Sequence, residues 1–322
     1  MSFTEFVTAI RTRLIAAACL GMFAVACGQK FDLPPQPDPG RIPTPGAYNL
    51  EKSWDVDRPT DLVSQGSYLY VISGDSRVET FLTRSKTPIH PQFVGEFRGL
   101  VRPVAICVAR RDSTFVFVAD AGDTTVKRYH FTGGEPRHSF RDSIWRGDFT
   151  AIAADENLAT YLSFADRDTI LKYDESGHRE RLISDRGTGV GFVIGPHGLH
   201  WNGRHLVVAD TEKNWAQRLR GDTTNVAAPG DPIGANFSLF GPRDVTADRL
   251  GEFVYVADSG RDRVLKFLAT GSFVDSVYSP TKAETQLEVP IRNPRYVAVE
   301  DSLVFVADPD GNRIVAFRLA TL

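Results

Sequence analysis

Three cationic side chains recur at one position of the sequence, the residue that follows a proline. They are His197 after Pro196, Arg243 after Pro242 and Arg295 after Pro294, spaced 46 and 52 residues apart. If those segments lie side by side, an imidazole and two guanidiniums meet. A guanidinium presents a planar fork of N–H donors that matches a carboxylate or a phosphate. The chemistry on offer is therefore capture of a small anion. Asp244 and Tyr296 directly follow the two arginines, and His200 lies three residues beyond His197. These six residues form the candidate ligand-binding set. A plainer alternative stands beside it, in which Arg243 pairs with Asp244 and His200 is a hydrogen-bonded core histidine.

Other chemistries find little support. There is no G-x-S-x-G elbow, Walker motif or dinucleotide fingerprint, so no catalytic residue is assigned. No metal-ligand set is assigned and no cofactor is expected. A net charge of −3 gives no general basic field, so nucleic acid is not an expected partner.

The elements that must position these residues form a degenerate repeat of about 47 residues. Its strongest line is a strand ending in Ala-Asp: FVFVAD (Phe115–Asp120), YLSFAD (Tyr161–Asp166), HLVVAD (His205–Asp210), FVYVAD (Phe253–Asp258) and LVFVAD (Leu303–Asp308). YLYVIS (Tyr68–Ser73) is a degraded first copy. Each copy begins with Pro and a short apolar strand, except the third, where Phe149 replaces Pro. A polar turn and a third strand such as VLKF follow the Asp. A weaker fourth strand, such as FVGEF or SFVDSVY, precedes the next Pro. Alternating β-branched and aromatic residues predict strands, and no window shows a helical period. The recurring aspartates are expected to accept N–H bonds within their own turns.

Four antiparallel strands at this period describe one propeller blade. The expected fold is all-β: a six-bladed β-propeller of four-stranded antiparallel blades. Residues following the Pro would ring one mouth of a central channel: Thr60, Val104, Thr150, His197, Arg243 and Arg295. The sixth copy ends after its third strand. The segment AYNLEKSWDV (Ala47–Val56) is expected to supply the missing one and close the ring, which removes an open sheet edge.

From Pro59 to Leu322 the Pro–strand–YVAD–strand pattern resembles the NHL repeat family, which implies a six-bladed closure. The segment Gly195–Asp210 (GPHGLHWNGRHLVVAD) is similar to a Pro-His blade of the peptidyl-hydroxyglycine lyase family. That likeness implies a channel zinc held by histidines from several blades, with an Arg and a Tyr at the reaction centre. Here only the fourth blade carries Pro-His. A lactonase likeness would imply a channel calcium; Asp61 and Asp244 occupy equivalent offsets for it, without an inner Asn. A metal-dependent propeller enzyme is accordingly the second reading.

The N-terminus differs in kind. Arg11 and Arg13 precede an apolar run, Leu14–Ala26, too short to span a bilayer. Residues 1–26 are expected to be a signal peptide. Ala24-Val25-Ala26-Cys27-Gly28 resembles a bacterial lipobox, which implies a lipid on Cys27. Residues 27–46 hold six prolines and form an extended tether. The propeller spans residues 47–322. Gly28, rather than Asp, after Cys27 implies the periplasmic side of an outer membrane or the cell surface. Cys107 alone remains, in an apolar strand, so no disulfide framework is expected. The expected role is a lipid-anchored, non-catalytic binding or scaffold module with an anion-binding channel mouth. Its partner would be a protein or a small anionic ligand, and Trp145 and Trp215 are candidate loop anchors.

Overall fold

Every second strand of the repeat is apolar on both faces, which requires cover on both. In the second blade Val116–Asp120 is buried throughout, as is Leu206–Asp210 in the fourth. A central strand flanked by neighbours in its own sheet, and covered on each face by another sheet, meets that demand.

The computed structural model describes residues 48–83, 92–144, 149–220, 231–234, 238–280 and 287–319. The signal segment, Cys27, the Pro-rich tether and Trp145 lie outside these residues. The described residues form six four-stranded antiparallel sheets. The chain is thus an all-β, six-bladed β-propeller. The first strand, β1, is Tyr48–Asp55. Five blades are sequential, with inner strands β2 (Asp61–Gln65), β6 (Pro103–Arg110), β10 (Ala151–Ala154), β14 (Pro196–Trp201) and β18 (Pro242–Ala247). The sixth runs from β22 (Tyr296–Glu300) through β23 (Leu303–Asp308) and β24 (Arg313–Leu319) to β1. Two short 3₁₀ turns, Ala165–Arg167 and Ser259–Arg261, interrupt the strands. No helix among the described residues is long and apolar enough to cross a membrane.

Six apolar clusters hold the ring together, each shared by two neighbouring blades. The closure is built as the sequence predicts. Strand β1 pairs antiparallel with β24, from Tyr48 opposite Leu319 to Asp55 opposite Arg313. Its side chains reach blades on both sides. The buried Tyr48 hydroxyl meets that of Tyr255 in the fifth blade at 3.1 Å. Trp54 packs edge-on against Phe81 in the first blade and Phe305 in the sixth. Arg318 clasps Glu51 through Nε and Nη2 at 2.9 and 3.3 Å.

The Ala-Asp aspartates serve the blade, but through longer reaches than their own turns. Asp120 accepts the Val101 and Arg102 amides, both at 2.8 Å, as well as that of Gly122 in the turn. Asp210 accepts from Ile194 and Asp258 from Phe240. Each thereby ties the end of a second strand to the entry of its own inner strand. Asp308 stays in its turn, with Gly311 and Arg313. In the third blade Asp166 gives way. Thr150, beside the substituted Phe149, accepts the Ala165 amide instead, and Asp168 accepts that of Gly195.

Removing the aromatic anchor of the closing strand should be costly. Tyr48→Ala should lower unfolding free energy by about 3–5 kcal/mol, the usual range for deleting a buried aromatic. Urea unfolding followed by tryptophan fluorescence measures it. A loss below about 1 kcal/mol would mean that the ring closes without this contact.

Candidate functional site

In the fourth and fifth blades the pairing of inner and second strands slips by one residue at the Pro. Pro196 faces Asp210, but the next pair is Gly198 with Ala209. Pro242 faces Asp258, and Asp244 then faces Ala257. His197 and Arg243 are the extra residues of these bulges. A bulge re-aims one side chain while the ladder continues, and Pro lacks the N–H that would oppose it. Val104 is bulged in the same way in the second blade.

The inner strands enclose a channel cavity of about 220 Å³. Of the six sequence-predicted residues, His197, His200, Asp244 and Tyr296 line it. Arg243 and Arg295 do not; both are exposed. Yet both guanidiniums act electrostatically on the Tyr296 phenol, and Arg243 acts on His197. The predicted set is therefore brought together in two tiers, with arginines outside and the other four within.

Asp244 does not neutralise Arg243. Its Oδ1 accepts the Val245 amide at 2.8 Å and its Oδ2 the Val297 amide at 2.9 Å. Asp61 repeats the arrangement in the first blade, with Leu62 at 2.8 Å and Ile106 of the next blade at 2.8 Å. Each carboxylate thus satisfies an inner-strand amide of the following blade, an edge group that would otherwise lack a partner. Burial pushes Asp244 up to about 7. Burial, reinforced by the Asp244 charge, raises Asp61 well above the ordinary carboxylate range. Neither carboxylate has an ion-pair partner among the described residues.

The positions equivalent to Asp61 around the ring are Ala105, Ala151, Gly198, Asp244 and Tyr296. Blades two to four are small there, whereas blades five, six and one form a polar arc. A Cβ on Gly198 would approach the Asp244 Cα to 2.6 Å, so blade four must carry glycine. Tyr296 stands between the two carboxylates. Burial, with both of those charges, raises its phenol.

The histidines behave as neutral groups. His197 Nδ1 lies 2.9 Å from the Gly195 carbonyl and must donate to it, which leaves Nε2 as an acceptor. Burial lowers its basicity, and Arg243 lowers it further. His200, pulled down to about 4 by burial, has Nδ1 3.4 Å from the Thr246 hydroxyl. Cys107 lines the same cavity as a buried thiol, raised by burial and then by Asp61. Trp215 sits at the head of the strand Trp215–Arg220 rather than in a loop, half-buried, with the Lys213 ammonium over its ring.

Asp61, which the sequence placed at the offset of Asp244 only for a channel calcium, lines the same cavity as the predicted set. Among the described residues no three His, Cys, Asp or Glu side chains converge to hold a metal. The zinc set implied by the lyase likeness does not assemble there.

No family model matches this chain, and no curated protein matches it in sequence. Solved structures do resemble it in fold. Virginiamycin B lyase from Staphylococcus aureus is 10% identical over 85% of this chain and 100% of that one, with a TM-score of 0.56. A chain of the nidogen/laminin complex is 18% identical over 80% and 88%, with a TM-score of 0.57. A chain of Kuenenia stuttgartiensis hydrazine synthase is 14% identical over 83% and 97%, with a TM-score of 0.53. At such identities the likeness is one of fold.

The raised Asp244 carboxyl has a sign that can be measured. Unfolded, an aspartate titrates near pH 4; folded, this one titrates near 7. Between these values the native chain holds a proton that the unfolded chain has lost, so the Asp244 contribution falls as pH rises and levels off above 7. The melting temperature of wild type minus that of Asp244→Asn should therefore decline from about pH 5 to about pH 7.5. Calorimetry at matched ionic strength checks it. His200, whose burial works in the opposite sense, is common to both proteins and cancels. A pH-independent difference would mean that Asp244 is ionised throughout.

Proposed function

We infer that this chain is a binding propeller that captures a small anion at the arginine-bearing end of its channel, held at a membrane surface by a lipid on Cys27. One observation carries the anion reading. Arg243 and Arg295 come from adjacent blades, are exposed, and act on the same phenol; among the described residues neither guanidinium has an ion-pair or hydrogen-bond partner. The carboxylate that could have neutralised Arg243 is committed to backbone amides. Two unneutralised guanidiniums at the end of a concave channel offer a carboxylate or phosphate several donors at once. His197 adds charge only if it is protonated as the anion arrives, so the arginines bear most of the attraction.

The lipobox-like Ala24–Gly28 segment and the Pro-rich spacer support the anchored, extracytoplasmic reading, on the periplasmic side of an outer membrane or at the cell surface. The repeat's likeness to the NHL family suits a binding or scaffold module, since propeller faces present loops to partners.

Titration calorimetry at low ionic strength, with inorganic phosphate and with acetate as probes, tests the anion reading. At least one probe should bind, weaken at least tenfold in Arg243→Ala and in Arg295→Ala, and weaken with added sodium chloride. Binding unchanged in both variants would overturn it.

A further inference from the structure

Beside the arginine rim the channel wall carries two carboxyl groups, Asp61 and Asp244. Asp61 and Asp244 converge from blades one and five on Tyr296 in blade six, which lies between them in the ring. Asp61 also feels Asp244 directly. All three residues line the same cavity. No Lys, Arg or His among the described residues forms an ion pair with either carboxylate. The half-buried Tyr296 lines the cavity beside these acids, and its hydroxyl has no hydrogen-bond partner among the described residues.

Each carboxylate oxygen holds one backbone amide, and an oxygen of this kind accepts a second bond. The amides explain why the acids are tolerated, but they supply no counter-charge when the acids ionise. Two unbalanced acids, an idle phenol and an open cavity form a recess that a cation would complete. The cation must be small and a hydrogen-bond donor, because the acceptors are separate oxygens on different blades. A ligand entering from the arginine end meets a rim that repels a simple cation and attracts one that carries an anion with it.

We propose that the channel takes a small zwitterion, its carboxylate or phosphate held by Arg243 and Arg295 and its primary ammonium held between Asp61 and Asp244 against the Tyr296 hydroxyl. This rests on the anion reading of the rim and specifies the ligand class for it. An ammonium between the two acids relieves their mutual repulsion and supplies three donors, enough for both carboxylates and the phenol. The phenol ring adds a favourable face for the charge. Opposite signs at two depths also impose one orientation, anion outward.

The test uses the full chain and a series of ω-amino acids: glycine, β-alanine, γ-aminobutyrate and 6-aminohexanoate. Each is titrated against its N-acetyl analogue, which keeps the carboxylate and removes the ammonium. At least one free amino acid should bind at least tenfold more tightly than its acetylated form. That preference should shrink at least threefold in Tyr296→Phe and vanish in Asp61→Asn/Asp244→Asn, while inorganic phosphate binding is retained. The acetylation comparison needs only the wild-type chain, so it stands even if the double variant fails to fold. Phosphate binding that depends on Arg243, with no preference for a free ammonium anywhere in the series, would overturn the zwitterion and leave the anion reading intact. Absence of binding by phosphate, acetate and the whole series would overturn both.

Discussion

The ladder between β1 and β24 is the contact on which everything else rests. Five blades pair strands that are consecutive in the chain, but a channel exists only when the sixth is complete and seated against the first. The cluster joining blades six and one contains Val56 and Leu62 from the chain start and Phe305 and Ile314 from near its end. Closure is thus a long-range pairing, expensive in loop entropy and slow to find. Once made, it covers the edge of β24 and fixes the inner strands at one distance from a common axis. The positions of Arg243, Arg295 and the two channel acids follow from that ring more than from their own neighbours.

Within the ring, the inner strands face a problem of their own. Each is the edge of its sheet on the channel side, so some of its amides have no strand to bond. Asp61 and Asp244 solve this for Ile106 and Val297 with side-chain oxygens. The solution places negative charge where water is scarce, and burial answers by raising both carboxyls. A structural device and a chemically unusual pair are the same atoms. The polar arc is accordingly both a seam between blades and the most polar wall of the cavity.

Much of this was legible in the repeat. The six copies, the missing last strand and its replacement by Tyr48–Asp55 follow from spacing, because a blade is a local object of fixed length. The mouth positions were legible for the same reason: equal offsets in equal blades land at equal depth. What escaped depended on contacts between copies. Asp244 could be read as the partner of Arg243, since adjacency was all the sequence offered, whereas its oxygens go to Val245 and to Val297 in the next blade. The bulges that free His197 and Arg243 arise from pairing register, which residue types alone do not reveal. The recurring aspartates were assigned to their turns; several reach back about eighteen residues to the start of the inner strand.

Tyr48 and Leu319 are direct neighbours in the closing ladder. The propeller's first and last described residues therefore form one rung. Geometrically the domain is a circle, and the covalent chain is cut at one arbitrary point of it, inside a sheet rather than between sheets. Any of the blade-to-blade loops could have held that cut with the same six sheets around it. Placing it within blade six makes that blade depend on two segments far apart in sequence: it is complete only when Arg313–Leu319 has been made and has returned to Tyr48–Asp55.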